Sequence, residues 1–528
     1  MNKNILIGGA WPYANSDLHL GHIAGLIAGD ILARYFRLNG DRVMFVSGTD
    51  CHGTPITERA KKEKRTPKEI ADYYHNRDKE TLEKFGFSYD LYTNTDTDFH
   101  KEKVMEMFKE IYDNGYIYEK IEPQPFCEKC GKFLSDREIQ IICPKCGQET
   151  KAEQCDNCGY VPIIEEMKDG VCLECGSKTI LKDNKNLYLK LSAFQKDIEN
   201  YVVENNKLWR INAKNETEKY LKQGLVDRAV TRDLDWGVDI PVEGYENKKM
   251  YVWIEAVLGY ITATMKKSEE LNIDWEEFWK EKYNPTIYMV HGKDNIVFHS
   301  IIFNALLLAM KKDYHLVNTI VSSEYLNIND EKISKSKGNG VPAIELVEKY
   351  GVDPLRFHLI NNGPEKKDSN FTIESLIATN NGELSNKFGN LVNRTLKFKE
   401  LEEVPNGKLD ENIKNKIEET YKKIGENIEK LEFKEASNIA MELVEIANKY
   451  YDDQKPWIQK KENIDEFNNT IYTCSVIIAN LSNIFEPFMP NACEKIRKYL
   501  KIEDKSWNFI EPKVGTKLED IEPLFVRI

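Results

Sequence analysis

The sequence predicts an α/β protein: a parallel-sheet domain, interrupted by a short metal-binding insertion and followed by a wholly helical domain. Three observations carry that expectation. Short apolar or β-branched runs alternate with longer helical patterns through the first half. Eight of the 11 cysteines fall in four Cys-x-x-Cys pairs within one short segment. Beyond about Ile373 the strand signals fade and apolar residues recur at helical spacing.

Length and composition agree. A chain of 528 residues with 41% hydrophobic and 30% charged content has material for about two to four folded domains. No apolar run reaches the ~18–20 residues of a membrane span, and the opening MNKNILIGGAWPYAN has neither a basic leader nor a small-residue cleavage site, so a cytoplasmic protein without membrane attachment is expected. The net charge of −13 argues against indiscriminate nucleic-acid binding; any such partner must be met by local basic faces.

Taken in order, NILIG, DRVMFVSG, TIYMVHG and HLVNTIVSS read as buried parallel strands of an open, nucleotide-binding sheet. After the first strand, the stretch YANSDLHLGHIAGLIAGDILARYFRLNG turns from loop to amphipathic helix near His19. Gly21 lets a ligand lie against the backbone there, and a helix N-terminus offers free N–H groups to phosphate. His19 and His22, at i and i+3, share that face and can donate hydrogen bonds to phosphate oxygens; a core or surface histidine pair is the plainer reading. Much later, DEKISKSKGNG sets Lys332, Lys335 and Lys337 among small residues, as a mobile loop whose ammonium groups reach a polyphosphate or as a solvated loop.

The insertion is expected over 121–185. Its pairs are Cys127/Cys130, Cys143/Cys146, Cys155/Cys158 and Cys172/Cys175. Each two-residue spacer lets both thiolates face one tetrahedral Zn²⁺, and Gly131, Gly147, Gly159 and Gly176 follow directly to free the turn. Eight ligands make two structural zinc sites, whose metal supplies much of the folding energy of so short and polar a segment. In the helical part, Asn386, Asn390 and Arg394 of NKFGNLVNR stand at i, i+4 and i+8, on one face able to read unstacked bases. Pro456 and Trp457 of QKPWIQKK offer a plate for stacking a splayed base. A polar helix face with a half-buried tryptophan is the alternative.

The HLGH and KISKS segments resemble the paired signatures of the class I aminoacyl-tRNA synthetases. AWPYANSDLHLGH, GTDCHGTPI, TRDLDWGVDIP and YVWIEAVLGY together resemble the methionine-specific branch of that family, over nearly the whole chain. The resemblance implies a Rossmann-like catalytic domain in two parts, 1–120 and 186–325, around a zinc-knuckle connective insertion over the tRNA acceptor end. A mobile-loop and stem-contact region, 326–378, and an anticodon-binding helical bundle, 379–528, follow. The insertion is too small for the hydrolytic editing domain of the valine, isoleucine and leucine relatives.

Residue by residue, the resemblance implies that His19, Gly21 and His22 hold ATP, with Lys332 and Lys335 stabilising the α-phosphate and pyrophosphate in the transition state. Arg232 reaches the phosphates, and Gly292 and Asp294 of HGKDN lie near the ribose. Asp50 pairs with the methionine ammonium, Tyr13 and Tyr260 touch the sulfur end, and Trp253, Ala256, Val257, His299 and Phe303 wall the side chain, with Trp11 at the entrance.

Zn²⁺ is structural and Mg²⁺ comes with ATP; the partners are L-methionine, ATP and tRNA(Met), and a monomer is expected. In the zinc-bearing relatives the middle knuckles share a metal. That implies Cys143, Cys146, Cys155 and Cys158 for one site and Cys127, Cys130, Cys172 and Cys175 for the other; sequential pairing stays open. Two stretches depart from the family: Trp253-Ile254-Glu255-Ala256-Val257 stands where many relatives read Trp-x-Asp-Ala-Pro, and Ile333 replaces the usual loop methionine. The function implied is methionine–tRNA ligation through methionyl-adenylate. The alternatives are a synthetase-like RNA-binding or regulatory protein without catalysis, and a relative of another amino-acid specificity.

Overall fold

The computed structural model describes residues 2–134, 138–152, 155, 157–158, 162, 164–332 and 341–528, with only the backbone at 331 and 332. Five parallel strands make the central sheet: β1 (Asn4–Gly9), β2 (Arg42–Thr49), β3 (Leu91–Asn94), β4 (Thr286–Gly292) and β5 (Thr319–Ser323). Their order across the sheet is β5-β4-β1-β2-β3. Four of the five are the runs the sequence marks as strands. The fifth, β3, is the four-residue LYTN, too short and too mixed to carry a pattern.

Residues 5–7 of β1 are fully buried, with Leu6 in register with Met44 on one side and Ile287 on the other, as a strand covered on both faces must be. The order reverses at β1: one branch runs outward through β2 and β3, the other through β4 and β5. Loops leaving the carboxyl ends of β1 and β4 therefore diverge and open a crevice, which is where open α/β sheets bind ligands.

Helix α1 (Leu20–Leu38) follows β1 and is apolar on most of its circumference. It packs on the sheet on one side and on the helical domain on the other. One continuous core runs from Ile5 and Ile7 through Ile27, Ile31 and Phe36 to Phe388, Ile424 and Phe485. That domain is built on the helices Glu411–Glu429, Phe433–Gln454, Ile464–Ile484 and Pro490–Leu500.

Charges lie inside this junction. Asp30 and Arg356 are both fully buried, and Arg356 Nη2 donates to Asp30 Oδ2 at 2.6 Å while its other N–H groups reach the Phe85, Pro487 and Phe488 carbonyls. Arg34 joins Asp30 at 2.9 Å to Glu486 at 2.8 Å. Burial penalises the Asp30 charge, but the two guanidiniums outweigh it and hold the carboxyl well below the usual carboxylate range. A buried ion pair is tolerable only when its remaining hydrogen-bonding positions are filled, as they are here.

The insertion rises on a two-stranded antiparallel stem, Ile117–Cys127 against Ile180–Leu189, whose register runs from Ile117 opposite Leu189 to Phe126 opposite Ile180. The cysteine pairs lie at and beyond its tip. Among the described residues no helix is long and apolar enough to cross a membrane.

Candidate active site

A cavity of about 460 Å³ opens at the crevice between β1 and β4. Among its walls are Trp11, Tyr13, His19, Gly21, His22 and Asp50 from the β1 side. Trp253, Ala256, Val257, Tyr260, Gly292, Asp294 and His299 face them from the other half. Thirteen residues named from sequence alone thus converge on one space.

His19 is the N-cap of α1, and its Nδ1 accepts from the Gly21 N–H at 3.1 Å. The His19 N–H in turn donates to His22 Nδ1 at 3.1 Å, and the two rings stack with centroids 3.8 Å apart. This is a capping box made of imidazoles in place of the usual hydroxyl and carboxylate. Because main-chain N–H groups occupy both Nδ1 lone pairs, each neutral ring carries its proton on Nε2, where it can donate. A Cβ at Gly292 would meet nothing within 4 Å, so the backbone of the opposite rim borders open space.

The two flanks of the lysine loop meet the same rim. Residues 333–340, with Ile333, Lys335 and Lys337, lie outside the described residues, and of Lys332 only the backbone is described. Its flanks are clear: Glu331–Lys332 pairs with Leu326–Ile328, of which Leu326 lines the cavity, and on the far side Pro342 forms a backbone bridge with His19. Ala343 also donates to the Leu18 carbonyl at 2.7 Å.

The aromatic end is ordered by hydrogen bonds. Trp253 Nε1 donates to the Tyr13 hydroxyl, and the Trp253 ring meets Phe298 edge-on at 4.1 Å. His299 Nδ1 lies 2.8 Å from the Asn295 carbonyl, which can only accept, so Nδ1 holds the proton and Nε2 accepts from Tyr260 Oη at 2.8 Å. Burial pulls His299 down to about 4, so the ring is neutral. Phe303 is not a wall of this cavity. It is fully buried behind it, 5.8 Å from Tyr260 and 5.9 Å from Trp279, and supports Tyr260 from the rear.

Arg232 does not line the cavity either. Its guanidinium lies over the Tyr251 ring at 4.1 Å and donates to the Ala229 and Thr231 carbonyls.

Asp50, at the end of β2, is 2% exposed and accepts from the His52 N–H at 3.3 Å. Burial, then the Glu255 carboxylate, push the Asp50 carboxyl well above the usual range, while His52 draws it down. His52 itself is buried between Glu255 Oε1 at 2.8 Å and Asp96 Oδ1 at 3.3 Å. Burial disfavours its charge, but Glu255 and Asp96 overcome that and raise it to about 9, so it is an imidazolium beside Asp50.

Sequence reasoning passed over His52, and noted Glu255 only as a departure. An acidic residue within the apolar helix Val252–Leu271 was the available signal for a buried partner. It also passed over Gly48 and Gly259. A Cβ at either would stand 2.4 or 2.9 Å from the Trp11 ring, so the two glycines form the slot that seats that indole. Glycine inside a helix costs about 1 kcal/mol relative to alanine, which marks Gly259 as a packing requirement.

The eight cysteines form two groups, Cys127, Cys130, Cys172 and Cys175 and Cys143, Cys146, Cys155 and Cys158, each with all sulfurs within 4.8 Å of one another. The separations of 3.4 Å (Cys127–Cys175), 3.9 Å (Cys130–Cys172), 3.7 Å (Cys143–Cys158) and 3.5 Å (Cys146–Cys155) approach the edge of roughly 3.8 Å that tetrahedral Zn–S bonds of ~2.3 Å require. Both groups could hold zinc. The middle knuckles share one group and the outer knuckles the other; the sequential alternative is not the arrangement found. Gly131, Gly147 and Gly176 take positive φ at 66°, 71° and 72°, as the knuckle turns demand, and Gly159 lies outside the described residues.

In the helical domain, Asn386 and Asn390 line a groove of about 470 Å³. They are not on a plain α-helix: Asn380–Gly389 is π-helical and only Asn390–Leu396 is α-helical, so the expected i, i+4, i+8 face is distorted. Arg394 crosses to the helix Phe433–Gln454 instead, donating to Asp452 at 2.7 Å and to the Asn448 carbonyl at 2.7 Å, with its guanidinium 4.2 Å above Tyr451. Tyr451 is 6.2 Å from Trp457, which is 47% exposed one residue beyond Pro456 at the start of the helix Pro456–Glu462.

Comparison with known proteins accords with this arrangement. Residues 5–396 match the family model "tRNA synthetases class I (M)", and residues 410–520 match "Anticodon-binding domain of tRNA ligase". Methionine–tRNA ligase 1 of Alkaliphilus oremlandii is 45% identical over 530 residues, which cover 99% of this chain and 97% of the relative. Methionine–tRNA ligase of Bacillus cereus (strain 03BB102) is 44% identical over 532 residues, with the same coverage. Among solved structures, Mycobacterium tuberculosis methionyl-tRNA synthetase in complex with methionyl-adenylate superposes with a TM-score of 0.82 at 23% identity, covering 99% of this chain and 100% of that one.

Proposed function

The chain belongs to the class I tRNA synthetases, in their methionine branch, and on that premise we propose how its residues divide the work of joining L-methionine to tRNA. A carboxylate oxygen of methionine attacks the α-phosphate of ATP, the bond to the β-phosphate breaks and pyrophosphate leaves. A ribose hydroxyl at the 3′ end of tRNA(Met) then attacks the carbonyl of methionyl-adenylate and AMP leaves. Mg²⁺ enters with ATP as part of the substrate.

The observation that carries this reading is the single cavity into which an imidazole-bearing helix tip, a buried carboxylate and an aromatic pocket all open. His19 and His22 donate from Nε2 to the phosphate oxygens, and Gly21 and Gly292 let the nucleotide lie on backbone. Asp294 faces the ribose. Lys332 and Lys335, on the loop whose two flanks meet this rim, neutralise charge developing at phosphorus.

Asp50, whose carboxyl accepts from the His52 N–H, pairs with the methionine ammonium, whose positive charge favours the ionised form. Trp253, Ala256 and Val257 wall the thioether with Tyr13, Tyr260 and His299, Trp11 closes the entrance, and Phe303 backs Tyr260. Polarisable sulfur suits such an aromatic surround. Zn²⁺ in the two Cys₄ groups fixes the fold of the insertion. Asn386, Asn390 and Trp457 behind Pro456 read the anticodon, with Arg394 holding Tyr451 beside Trp457. A monomer as the working unit is part of this reading, and sedimentation tests it.

The decisive experiment is methionine-dependent ATP–pyrophosphate exchange, repeated with other amino acids, followed by charging of a tRNA(Met) transcript. Exchange with methionine alone, and charging, are expected. Exchange with a different amino acid, or none with any, overturns the assignment.

A further inference from the structure

Three carboxyl groups gather around His52, and the cations within reach are shared among them unequally. Asp96 accepts from His52 Nε2 at 3.3 Å and is paired with Lys101 and, at 3.2 Å, with Lys68. Glu255 is fully buried: its Oε1 meets His52 Nδ1 at 2.8 Å, and its Oε2 has no hydrogen-bond partner among the described residues. Asp50 lines the cavity at 2% exposure, and its carboxyl accepts from the His52 main-chain N–H at 3.3 Å. Among the described residues no side-chain cation bonds it.

The elements packed around Asp50 do not mend that imbalance. On the β1 side the contacts are main-chain ones: the Asp50 N–H donates to the Pro12 carbonyl and the Asp50 carbonyl accepts from Ala14, both at 2.8 Å. On the helix Pro67–Lys84, Lys68 is held by Asp72 and Asp96, and burial keeps His75 neutral, at about 4. On the helix Asp98–Asp113, burial likewise keeps His100 neutral, at about 3, and Lys101 is committed to Asp96. The neighbouring Cys51 thiol is pushed up by burial and stays protonated. A carboxylate shut away from water needs a cation or several donors, whereas a protonated carboxyl needs neither. Burial and the Glu255 charge both drive Asp50 toward the protonated form.

We propose that Asp50 carries a proton until methionine arrives, and that seating of the substrate ammonium expels this proton to solvent. The carboxyl O–H bond breaks, the proton passes to water or buffer, and the ammonium, which keeps its own protons, becomes the cation that Asp50 lacks. This rests on the reading of Asp50 as the ammonium partner. Recognition is then an exchange of one positive charge for another, and the buried cluster has the same net charge empty and loaded. Methionine affinity follows as a function of pH: it rises about 10-fold per pH unit for as long as the empty site holds the proton.

The test is calorimetric titration of the whole protein with methionine, at about pH 7 and in buffers of different ionisation enthalpy, which counts protons released per ligand bound. About one is expected, and about one also with methioninol, which has the ammonium and no carboxylate. His52, at about 9, keeps its charge at that pH and does not contribute. Glu255→Gln removes the neighbouring anion and should shift the rise in affinity to lower pH. Methionine bound with no proton released and with affinity independent of pH shows Asp50 already ionised and overturns the proposal, leaving its pairing with the ammonium intact. Release with methionine but not with methioninol assigns the proton to the carboxylate end of the substrate and also overturns it. Parental methionine affinity in Asp50→Asn removes the pairing itself, and the proposal falls with it.

Discussion

The Tyr260 hydroxyl donates to His299 Nε2 across 2.8 Å, and it does so because the other ring nitrogen of His299 is committed to the Asn295 carbonyl. The phenol proton is therefore aimed at a buried imidazole, and the side of the ring facing the cavity offers π surface and oxygen lone pairs. Tyr260→Phe leaves Nε2 without a donor inside the protein, at a cost of about 1–3 kcal/mol. A fall of roughly 10-fold to 100-fold in kcat/KM for methionine is expected in the exchange assay. Since His299 sits at about 4, the loss should be equal at about pH 6 and about pH 8; a pH-dependent loss would show that the ring titrates in this range.

His52 links the two halves of the candidate site, bonded to Glu255 on the helix Val252–Leu271 and next to Asp50 at the end of β2. A base whose pKa rises on folding, here from 6.5 to about 9, stabilises the folded state fully below the lower value and ceases to do so as pH climbs through the higher. The protein should lose up to about 3 kcal/mol of stability between those limits, and His52→Gln should lack that slope. Urea unfolding across the range is the measurement, and an equal slope in the variant would refute the assignment.

The cysteine grouping makes a stoichiometric prediction. The protein should carry two Zn²⁺ per chain, and Cys127→Ser should release one while leaving Cys146 and Cys155 protected from a thiol reagent. Loss of protection at Cys146 would reinstate sequential pairing. Exhaustive chelation should unfold the insertion, visible as rapid amide exchange along the strands at the tip of the stem.

Trp457 is the test of the RNA-reading end. Stacking a base on an exposed indole is worth ~1–3 kcal/mol, so Trp457→Ala should lower kcat/KM for tRNA charging by roughly 5-fold to 150-fold. A loss of the same size in ATP–pyrophosphate exchange would mean that the tryptophan holds the fold together and does not read RNA.

Periodicity and turn chemistry made most of the frame legible. Four of five sheet strands, the start of α1 at His19 and the helical second half follow from local patterns, because buried strands and amphipathic helices write their environment into hydropathy. What escaped was set by tertiary contact. The strand Leu91–Asn94 is defined by its neighbour and not by its residues. Arg394 left the expected face because a π-helical stretch shifts the register and because Asp452 competes for its guanidinium. His52 gains meaning only from a partner 203 positions away, Glu255, which no local pattern relates to it.

The embedded arginine at position 356 has an architectural consequence. Three of its four carbonyl and carboxylate anchors lie either on Asp30, midway along the helix that begins at His19, or on Pro487 and Phe488 in the distal bundle. Eleven residues of helix, about 16 Å, separate Asp30 from the tip at His19. Severing the bundle would strand a cation beneath that rod and let its business end swing. The enzyme is thus a braced truss, and an autonomous catalyst cannot be carved from it by cutting at the joint between its halves.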